Sequence, residues 1–469
     1  MNIGMLHDSI TELTGGSSMS TLRFSELLVE RGHKIIFLTS ESHKKKQSRY
    51  YISPKGYKIK EYIFNSIPLQ EQLGRHFSLA IPSFKELEEI FKREKIEIVH
   101  IMLPFFAAYR ALLVARKMGI KVVYTSHMEP ENFFSQIHKS LNQKRLINLF
   151  YKFLISSYKK GDAVICPTKY SQKAIKKQEK KLKTVVITNG VNLRDFRKVN
   201  PSPFFEKFKQ NKKDPRILYQ GRIDIEKNIE TLVKSTPHIM KVFPNVKIDI
   251  NGDGIAFEKI KKLVKKMKLE KNVNLWGRVP NNKSVYSYNA TDIFVLPSIA
   301  EIEGMVVLEA IACGKPILIA NSKKNAASSF IDGNGFTFET LDPEDLAKKA
   351  IKILENQKLK ERMSKNSLRL AKKLDIDKSV ISLEKTYIKV LKEKPQLLKP
   401  ESKEEKILAY KIIKLIAKFK IPGLNLNKLV YQNFKQIILY MKKSYFNGTT
   451  VKKHNKNKKS FFLKKLFRR

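Results

Sequence analysis

The sequence predicts an α/β fold of two doubly wound domains, followed by a basic helical extension. Two series of short apolar segments, one before and one after Pro201 and Pro203, read as strands separated by helical stretches. These segments are apolar without alternation, which is typical of parallel strands buried on both faces. Two such domains in one chain predict a cleft between them, with ligands bound at the carboxyl ends of the strands.

The first series opens with a strand at Asn2–Leu6, a Gly15-Gly16 loop and a helix that Gly32 ends. Further strands are predicted at 34–40, 96–102, 121–127, 162–168 and 184–190, and the second series at 216–221, 246–252, 272–277, 292–298 and 316–321. We therefore predict an N-terminal Rossmann-like domain at 1–195, a C-terminal one at 196–375, a helix at 376–394 that crosses back to the first domain, and a basic amphipathic tail at 395–469.

Composition narrows the class of protein. The chain has 469 residues and only two cysteines, Cys166 and Cys313, which argues against a disulfide scaffold and against a cysteine-built metal cluster. We expect no secretory signal, because the first twenty residues contain His7, Asp8 and Glu12 and no apolar core. No uncharged apolar run approaches the ~20 residues that cross a bilayer, so we expect a cytoplasmic protein.

The charge predicts an anionic partner. Lys and Arg number 92 against 44 Asp and Glu, which gives a formal net charge of +48. Residues 401–469 alone hold 19 Lys and Arg against three Glu. Nucleic acid and acidic lipid headgroups are the two main candidates; the alternative is a lysine-rich composition that leaves solvated lysines everywhere.

The most specific segment is PSIAEIEGMVVLEAIACGKP at 297–316, in which seven residues separate Glu301 from Glu309. Glu301 follows a strand, and Glu309 lies on the helix that Gly304 opens. The first amides of that helix lack intrahelical partners and can donate to a phosphate or a sugar hydroxyl, while the two carboxylates can accept from hydroxyl pairs. The alternative is a surface strand-loop-helix with solvated glutamates.

Two further loops point to an anion. In GRIDIEKN at 221–228, an arginine fork (Arg222) and a lysine point charge (Lys227) suit a diphosphate, unless this is an ordinary basic loop between a strand and a helix. The pair Gly15-Gly16 lets backbone amides approach an anion at the next helix, unless it is a simple turn. Neither loop has the G-x-G-x-x-G pattern of a nicotinamide site.

Together these segments resemble a known family. RGHKIIFLTS, IEIVHIMLPF, VVYTSHMEP, AVICPTKYS, VITNGVNLRDF, LYQGRIDIEKN, INGDG, LWGRVP and the paired-glutamate segment occur in the order seen in family 4 (GT4) glycosyltransferases of the GT-B fold. The resemblance covers residues 1–394. It implies a retaining enzyme with a nucleotide-sugar donor, expected to be UDP-glucose or UDP-galactose, and no required metal or cofactor.

The resemblance also implies roles for single residues. Arg222 and Lys227 would hold the donor diphosphate, and Glu301 the donor sugar. The other implied donor contacts are Gly16, Gly304, Met305, Val306 and, at the ribose, Glu309. His127 would lie beside the reacting centre, so His127 and Glu301 are the expected catalytic residues, whereas His100 is expected to be structural. Transfer would follow a front-face route in which the departing phosphate helps to deprotonate the acceptor.

The segment after the first glutamate departs from the family pattern. Where an aromatic residue or a Thr-Gln pair is usual, this chain has Ile302-Glu303-Gly304. The departure leaves the identity of the donor sugar open among glucose, galactose and mannose. It makes Glu303 either an additional sugar contact or a solvated side chain.

A basic amphipathic helix is predicted at 139–160, suited to anionic bilayers or, alternatively, packed on the core with solvated lysines. Membrane contacts are expected at Lys144, Arg145, Phe150, Lys152, Phe153, Lys159 and Lys160, and in the tail at Phe461, Phe462, Lys464 and Lys465. Similar GT4 enzymes glycosylate diacylglycerol, so we expect a peripheral enzyme on the inner face of the cell membrane with a lipid acceptor such as 1,2-diacylglycerol. Assembly of a surface polysaccharide or another glycolipid is the alternative, and nucleic-acid binding on a GT-B scaffold is a remote one.

Overall fold

The computed structural model describes residues 1–10, 15–41, 46–68, 78–128, 130 and 143–394. The chain divides into one unit at Met1–Gln396 and another at Leu397–Arg469. The predicted tail at 395–469 lies outside the described residues, and with it Phe461, Phe462, Lys464 and Lys465.

An eight-stranded sheet forms the N-terminal half of the described chain, in the order β10-β9-β8-β7-β1-β2-β4-β3. All neighbours run parallel except β3 and β4. Its strands and the short β5–β6 pair are β1 Asn2–Leu6, β2 Lys34–Ser40, β3 Gln47–Ile52, β4 Lys58–Phe64, β5 Ser66–Pro68, β6 Ser78–Ala80, β7 Ile98–Ile101, β8 Lys121–Thr125, β9 Ala163–Cys166 and β10 Thr184–Val186. The helices are α1 Gly16–Glu30, α2 Phe84–Arg93, α3 Phe106–Lys117, α4 Gln143–Lys159 and α5 Lys169–Gln178.

A six-stranded, all-parallel sheet forms the second half, in the order β13-β12-β11-β14-β16-β18. The strands are β11 Arg216–Gln220, β12 Lys247–Asn251, β13 Val273–Gly277, β14 Ile293–Leu296, β15 Ala300–Glu301, β16 Ile317–Asn321, β17 Lys324–Asn325 and β18 Gly335–Glu339, with β15 and β17 forming a small separate pair. The helices are α6 Ser202–Phe208, α7 Ile229–Met240, α8 Phe257–Lys266, α9 Asn281–Asn289, α10 Met305–Ala312, α11 Pro343–Leu354, α12 Gln357–Ala371 and α13 Ile376–Lys392.

Each sheet has its own apolar core. In the second, buried residues of the strands pack against one face of α7, α10 and α11. In the first, α13 joins the core through one helical face, with Ile376, Val380, Leu383, Tyr387 and Val390. The chain therefore crosses between the sheets twice, and the two crossings pair where Val191 donates to Leu374 (2.9 Å) and accepts from Ile376 (3.0 Å).

The predicted fold class of two doubly wound α/β halves is confirmed, but several strands were missed. The edge strand β3 exposes Tyr50 and Ile52, and its neighbour β4 begins at the exposed Lys58. Edge strands lack the continuous apolar run that marked the central strands. Helix α1 also begins at Gly16 rather than at Met19, so the glycine lies at the first turn of the helix.

Candidate active site

Two loops meet where the second sheet reverses its strand order. The neighbouring strands β11 and β14 lead to opposite sides of the sheet, and such reversal points form crevices at the carboxyl ends of the strands. Residues 221–228 follow β11 and are called the Arg222 loop; residues 299–304 follow β14 and are called the Glu301 loop. The amide of Ile299 donates to the carbonyl of Glu226 at 2.8 Å, which joins the two loops.

Lys227 and Glu301 form an ion pair between these loops. The Lys227 Nζ lies 2.7 Å from Oε1 of Glu301, and the side chains are only 12% and 13% exposed. Coulomb attraction is stronger away from water. An ammonium has three donors and a carboxylate several acceptor sites, so each partner can also bind a ligand. The structure therefore brings together the residues predicted to hold the diphosphate and the sugar.

Arg222 is engaged by acids of its own loop. Its guanidinium contacts the carboxylates of Asp224 and, at 3.3 Å, Glu226, and its side chain is one third exposed. The two cations of the site, Arg222 and Lys227, thus face three carboxylates. A bound diphosphate has to share or displace these contacts, so side-chain cations alone do not account for anion binding here.

Backbone amides supply further positive potential. Gly304, at φ +79°, precedes α10 in the left-handed conformation, and a Cβ there would lie 3.1 Å from that of Ala327. The Val307 amide donates to the Gly304 carbonyl at 2.8 Å. The amides of Met305 and Val306 have no partner among the described residues, and both residues are partly exposed. They form the open, partially positive start of the helix.

The start of α1 faces the start of α10 across the cleft. A Cβ built on Gly16 would lie 3.6 Å from Sδ of Met305. Glycine therefore lets the N-terminal domain approach α10 closely. The first turns of two helices converge at this point, and helix starts attract anions.

Glu309 is held by both domains. Its Oε1 accepts from Nη2 of Arg23 on α1 at 2.7 Å, and its Oε2 accepts from the Tyr288 hydroxyl at 2.8 Å. The Arg23 guanidinium also lies over the Phe196 ring, 5.4 Å from its centroid. The residue predicted to bind ribose is thus part of an interdomain contact, and its predicted role stays a prediction.

His127 lies in a cluster of buried histidines at the edge of the first sheet. Its Nε2 is buried and has no hydrogen-bond partner among the described residues. Burial lowers the pKa of His127 to about 4, so the imidazole is neutral at pH 7. Burial and then His127 lower the pKa of His7 to about 3, and His7 Nε2 lies 3.0 Å from Oγ of Ser17, next to Gly16. The histidine cluster therefore contacts the start of α1.

His100 holds helix α13 to the sheet. Its ring nitrogens lie 2.6 Å from the hydroxyls of Tyr387 and Thr125. Burial, and then His127, lower the pKa of His100 to about 3. Both ring nitrogens are thus engaged by protein hydroxyls, in keeping with the structural role expected for this residue.

Glu303 is placed differently from either sequence-based alternative. The side chain is 3% exposed, so it is not solvated. Its carboxylate accepts hydrogen bonds from Thr188 and Asn189 of the crossing between the sheets. The interpretation of Glu303 as a solvated residue is therefore wrong, and its oxygens bind the protein itself.

Helix α4 presents part of the predicted membrane-binding surface. Lys144 and Lys152 are exposed, and Lys159 is exposed while paired with Glu179. Arg145 lies on the same helix. These lysines keep the prediction of a basic outer face open.

Two residues of that prediction have to be corrected. Phe150 is only 7% exposed and packs with the half-buried Phe153, at 6.0 Å between ring centroids. Lys160 is half-buried, with Nζ 5.6 Å from the ring centroid of Tyr109. Phe150 faces the core rather than the outer face, and Lys160 lies against an aromatic ring instead of projecting into solvent.

Sequence reasoning missed several residues of the site. Arg23 and Tyr288 contact Glu309, and His7 and Ser17 contact each other beside His127. Arg23 lies two helical turns after Gly16, which is a spacing that puts both on one face of α1, but the sequence alone did not indicate what that face meets.

Two absences concern the described residues alone. Among them, no group of three or more His, Cys, Asp or Glu side chains is arranged to hold a metal ion. In that same part of the chain, no helix is both long enough and apolar enough to span a bilayer.

Comparison with known proteins relates both halves of the chain to glycosyltransferases. The model "Glycosyltransferase Family 4" matches residues 14–195, and the model "Glycosyl transferases group 1" matches residues 202–369. An alpha-monoglucosyldiacylglycerol synthase of Acholeplasma laidlawii is 27% identical over 78% of this chain and 92% of the relative. The Streptococcus pneumoniae synthase of the same name is 24% identical over 68% and 70%. A phosphatidylinositol N-acetylglucosaminyltransferase component from Arabidopsis thaliana is 24% identical over 76% and 75%.

Solved structures share the fold at lower sequence identity. Sucrose-phosphate synthase of Thermosynechococcus elongatus has a TM-score of 0.68 at 18% identity, over 83% of this chain and 99% of that one. Anabaena HepE in complex with UDP-glucose has a TM-score of 0.64 at 16% identity, over 83% and 100%. With two family models that together match about three quarters of its residues, the chain belongs to the family 4 glycosyltransferases, which have the GT-B fold.

Proposed function

We propose that this glycosyltransferase moves a hexose from UDP-glucose or UDP-galactose, with retention, to a membrane lipid acceptor such as 1,2-diacylglycerol. The observation that carries the proposal is the arrangement of the cleft. The Lys227–Glu301 pair lies on the loops that lead to the start of α10, and the start of α1 faces it from the other domain. This arrangement suits an activated sugar whose leaving group is a diphosphate.

The diphosphate would bind between the Lys227 ammonium and the amides of Met305 and Val306. Negative charge grows on this group as the bond to the sugar breaks. Donors that are already oriented stabilise such charge without reorganisation, and one such donor is typically worth about 10²–10³ in kcat. Gly16 would let the other domain close on the phosphates.

The sugar and the ribose would be held by carboxylates. Glu301 can accept from sugar hydroxyls while it still pairs with Lys227. The neutral His127 can exchange a hydrogen bond with a further hydroxyl through its Nε2, which has no partner among the described residues. Glu309, fixed by Arg23 and Tyr288, would accept from the ribose hydroxyls.

Retention follows if both substrates use one face of the sugar. The bond between the anomeric carbon and the diphosphate oxygen breaks, and the acceptor hydroxyl attacks from the side that the leaving group vacates. The proton of that hydroxyl passes to an oxygen of the departing phosphate. No side chain has to form a covalent intermediate, and the donor is the substrate, so we propose no metal or cofactor in the reaction.

A lipid acceptor and a peripheral membrane location are supported by the relatives and by charge. The names of the synthases from Acholeplasma laidlawii and Streptococcus pneumoniae specify glucosyldiacylglycerol. The chain carries a net charge of +48, and exposed Lys144 and Lys152 lie on α4. Each basic residue near an anionic bilayer contributes about 1 kcal/mol. We propose binding to the inner face of the cell membrane and no nucleic-acid partner.

Transfer to another glycolipid is the alternative function. Relatives named phosphatidylinositol N-acetylglucosaminyltransferase favour N-acetylglucosamine as the sugar and an inositol lipid as the acceptor. Both possibilities place the acceptor in a bilayer. Assembly of a surface polysaccharide is the remaining possibility within the enzyme class.

A panel of labelled donors tests the proposal. The full chain is incubated with UDP-glucose, UDP-galactose or UDP-N-acetylglucosamine and with phosphatidylglycerol vesicles that contain diacylglycerol or phosphatidylinositol. We expect label from one UDP-hexose in a glycosyl-diacylglycerol, with an α linkage by NMR. Label in the inositol lipid would favour the alternative. Label found only in water-soluble products would contradict a lipid acceptor, and a β linkage would contradict retention.

A further inference from the structure

Glu303 is a buried carboxylate in the middle of the Glu301 loop. It lies two residues after Glu301 and immediately before Gly304, which precedes α10. Its side chain is 3% exposed, so its oxygens depend on protein groups for hydrogen bonds. Burial raises the pKa of Glu303 to about 7. A carboxyl group at this depth has to be stabilised by the contacts around it.

Those contacts come from the segment that crosses from the first sheet to the second. Oε1 accepts from the Thr188 hydroxyl and, at 3.1 Å, from the Asn189 amide. Oε2 accepts from the Asn189 side-chain amide. All three groups are donors, so the site matches an ionised carboxylate and not a carboxylic acid, whose O–H would meet a donor.

The same network continues to both sides of the cleft. Asn189 Oδ1 accepts from the hydroxyl of Ser20 on α1 at 2.6 Å, one turn after Gly16. On the adjoining residue of the Glu301 loop, the Ile302 carbonyl accepts from the Thr168 hydroxyl at 2.9 Å. Two consecutive residues of the loop are therefore bonded to the N-terminal half, and the crossing segment connects them to α1.

We propose that Glu303 is a positioning residue for sugar transfer, whose carboxylate fastens the Glu301 loop to the interdomain crossing. This fixes Glu301 and the first amides of α10 relative to the start of α1. The inference rests on the proposed use of this cleft for an activated sugar. Glu303 itself makes no contact with the donor in this proposal; it acts through the loop that does.

An exchange of donor and acceptor groups tests the proposal. Glu303→Gln turns an acceptor oxygen into an NH₂ group that meets the NH₂ of Asn189. Asn189→Asp alone brings two carboxylates together. In the double variant, the new amide at position 303 can donate to the new carboxylate at position 189, which still accepts from Ser20. Each single change is therefore unfavourable, and the two together restore complementary pairing.

The readout is release of UDP from the sugar nucleotide, with Glu206→Gln as an exposed control on α6. A hydrogen bond to a charged group is worth enough to change a rate by about 10- to 100-fold. We expect Glu303→Gln to lower kcat by about that factor, with a smaller change in the KM of the donor. We expect the double variant to recover most of the loss, and the control to match the wild type.

Two results would overturn the proposal. One is a Glu303→Gln enzyme with kcat equal to that of the control. The other is a double variant that regains thermal stability but not kcat, because the pairing would then be structural only. UDP release also occurs with non-lipid acceptors and by hydrolysis, so failure of the lipid-acceptor proposal is detected separately, in the wild-type product.

Discussion

Replacing Lys227 by methionine tests the donor site and has a magnitude that the structure allows us to work out. Lys227→Met keeps the length of the side chain but removes the ammonium that lies 2.7 Å from Glu301. The variant loses a donor to the diphosphate and leaves the Glu301 carboxylate without its cation. Activity and stability should therefore fall for two different reasons.

The effect on activity follows from the developing charge. Loss of one oriented donor to such charge typically lowers kcat by about 10²–10³. The effect on stability follows from burial. Breaking a buried ion pair on one side costs about 3–5 kcal/mol; the two side chains keep 12% and 13% exposure, so we expect the lower end of that range. For a domain of this size, that is a fall in Tm of about 5–10 °C.

A double variant separates the two effects. Lys227→Met with Glu301→Gln removes both charges, so most of the lost Tm should return. Activity should stay low, because neither the diphosphate donor nor the sugar acceptor is restored. Steady-state kinetics and thermal unfolding of the three variants provide the measurement. Near-wild-type turnover by Lys227→Met, or recovery of activity together with stability in the double variant, would refute the assignment of Lys227 to the donor site.

Three further predictions concern other contacts of the cleft. Arg23→Met removes the charged bond to Glu309 and should raise the donor KM about tenfold or more; an unchanged KM by steady-state kinetics would exclude a role for this contact in binding. Gly304→Ala places a Cβ at φ +79°, which costs about 1–2 kcal/mol, and should lower kcat through a displaced start of α10; calorimetry and kinetics that match the wild type would contradict this. Burial raises the pKa of Glu303 and of Asp8 to about 7. Stability should therefore rise as pH falls from about 7 towards the unfolded value near 4.5, because the folded state then binds more protons. Activity should fall over the same range as Glu303 loses its ionised form, since the groups that face it, from Thr188 and Asn189, are uncharged donors; the Lys227–Glu301 pair is the nearest charge on the same loop. A pH profile of Glu303→Gln that keeps the acidic fall of the wild type would assign that fall to another group.

The central strands and the active-site loops could be predicted because they depend on local sequence. Strands β1 and β2 have the predicted bounds, since their continuous apolar runs are buried on both faces. The Arg222 and Glu301 loops follow β11 and β14 directly, so their meeting at one edge follows from the parallel sheet. Pattern and topology together are enough for this part of the site.

Contacts between the domains could not be predicted. The pairing of Arg23 with Glu309 joins residues 286 positions apart, and no local pattern indicates it. Glu303 shows the same limit: one residue of sequence departs from the family pattern, but only the packed crossing segment with Thr188 and Asn189 shows why a carboxylate belongs there. Phe150 was misplaced because an amphipathic pattern does not indicate which neighbour covers the apolar face.

Binding of UDP compared with uridine tests the central claim most directly, since the two ligands differ only in the diphosphate. Titration calorimetry on the full chain should give at least about 10²-fold tighter binding for UDP, from two or more charge-assisted bonds. That preference should shrink sharply in Lys227→Met. Equal affinities for UDP and uridine, or a preference that the variant leaves intact, would contradict a diphosphate site between Lys227 and the start of α10.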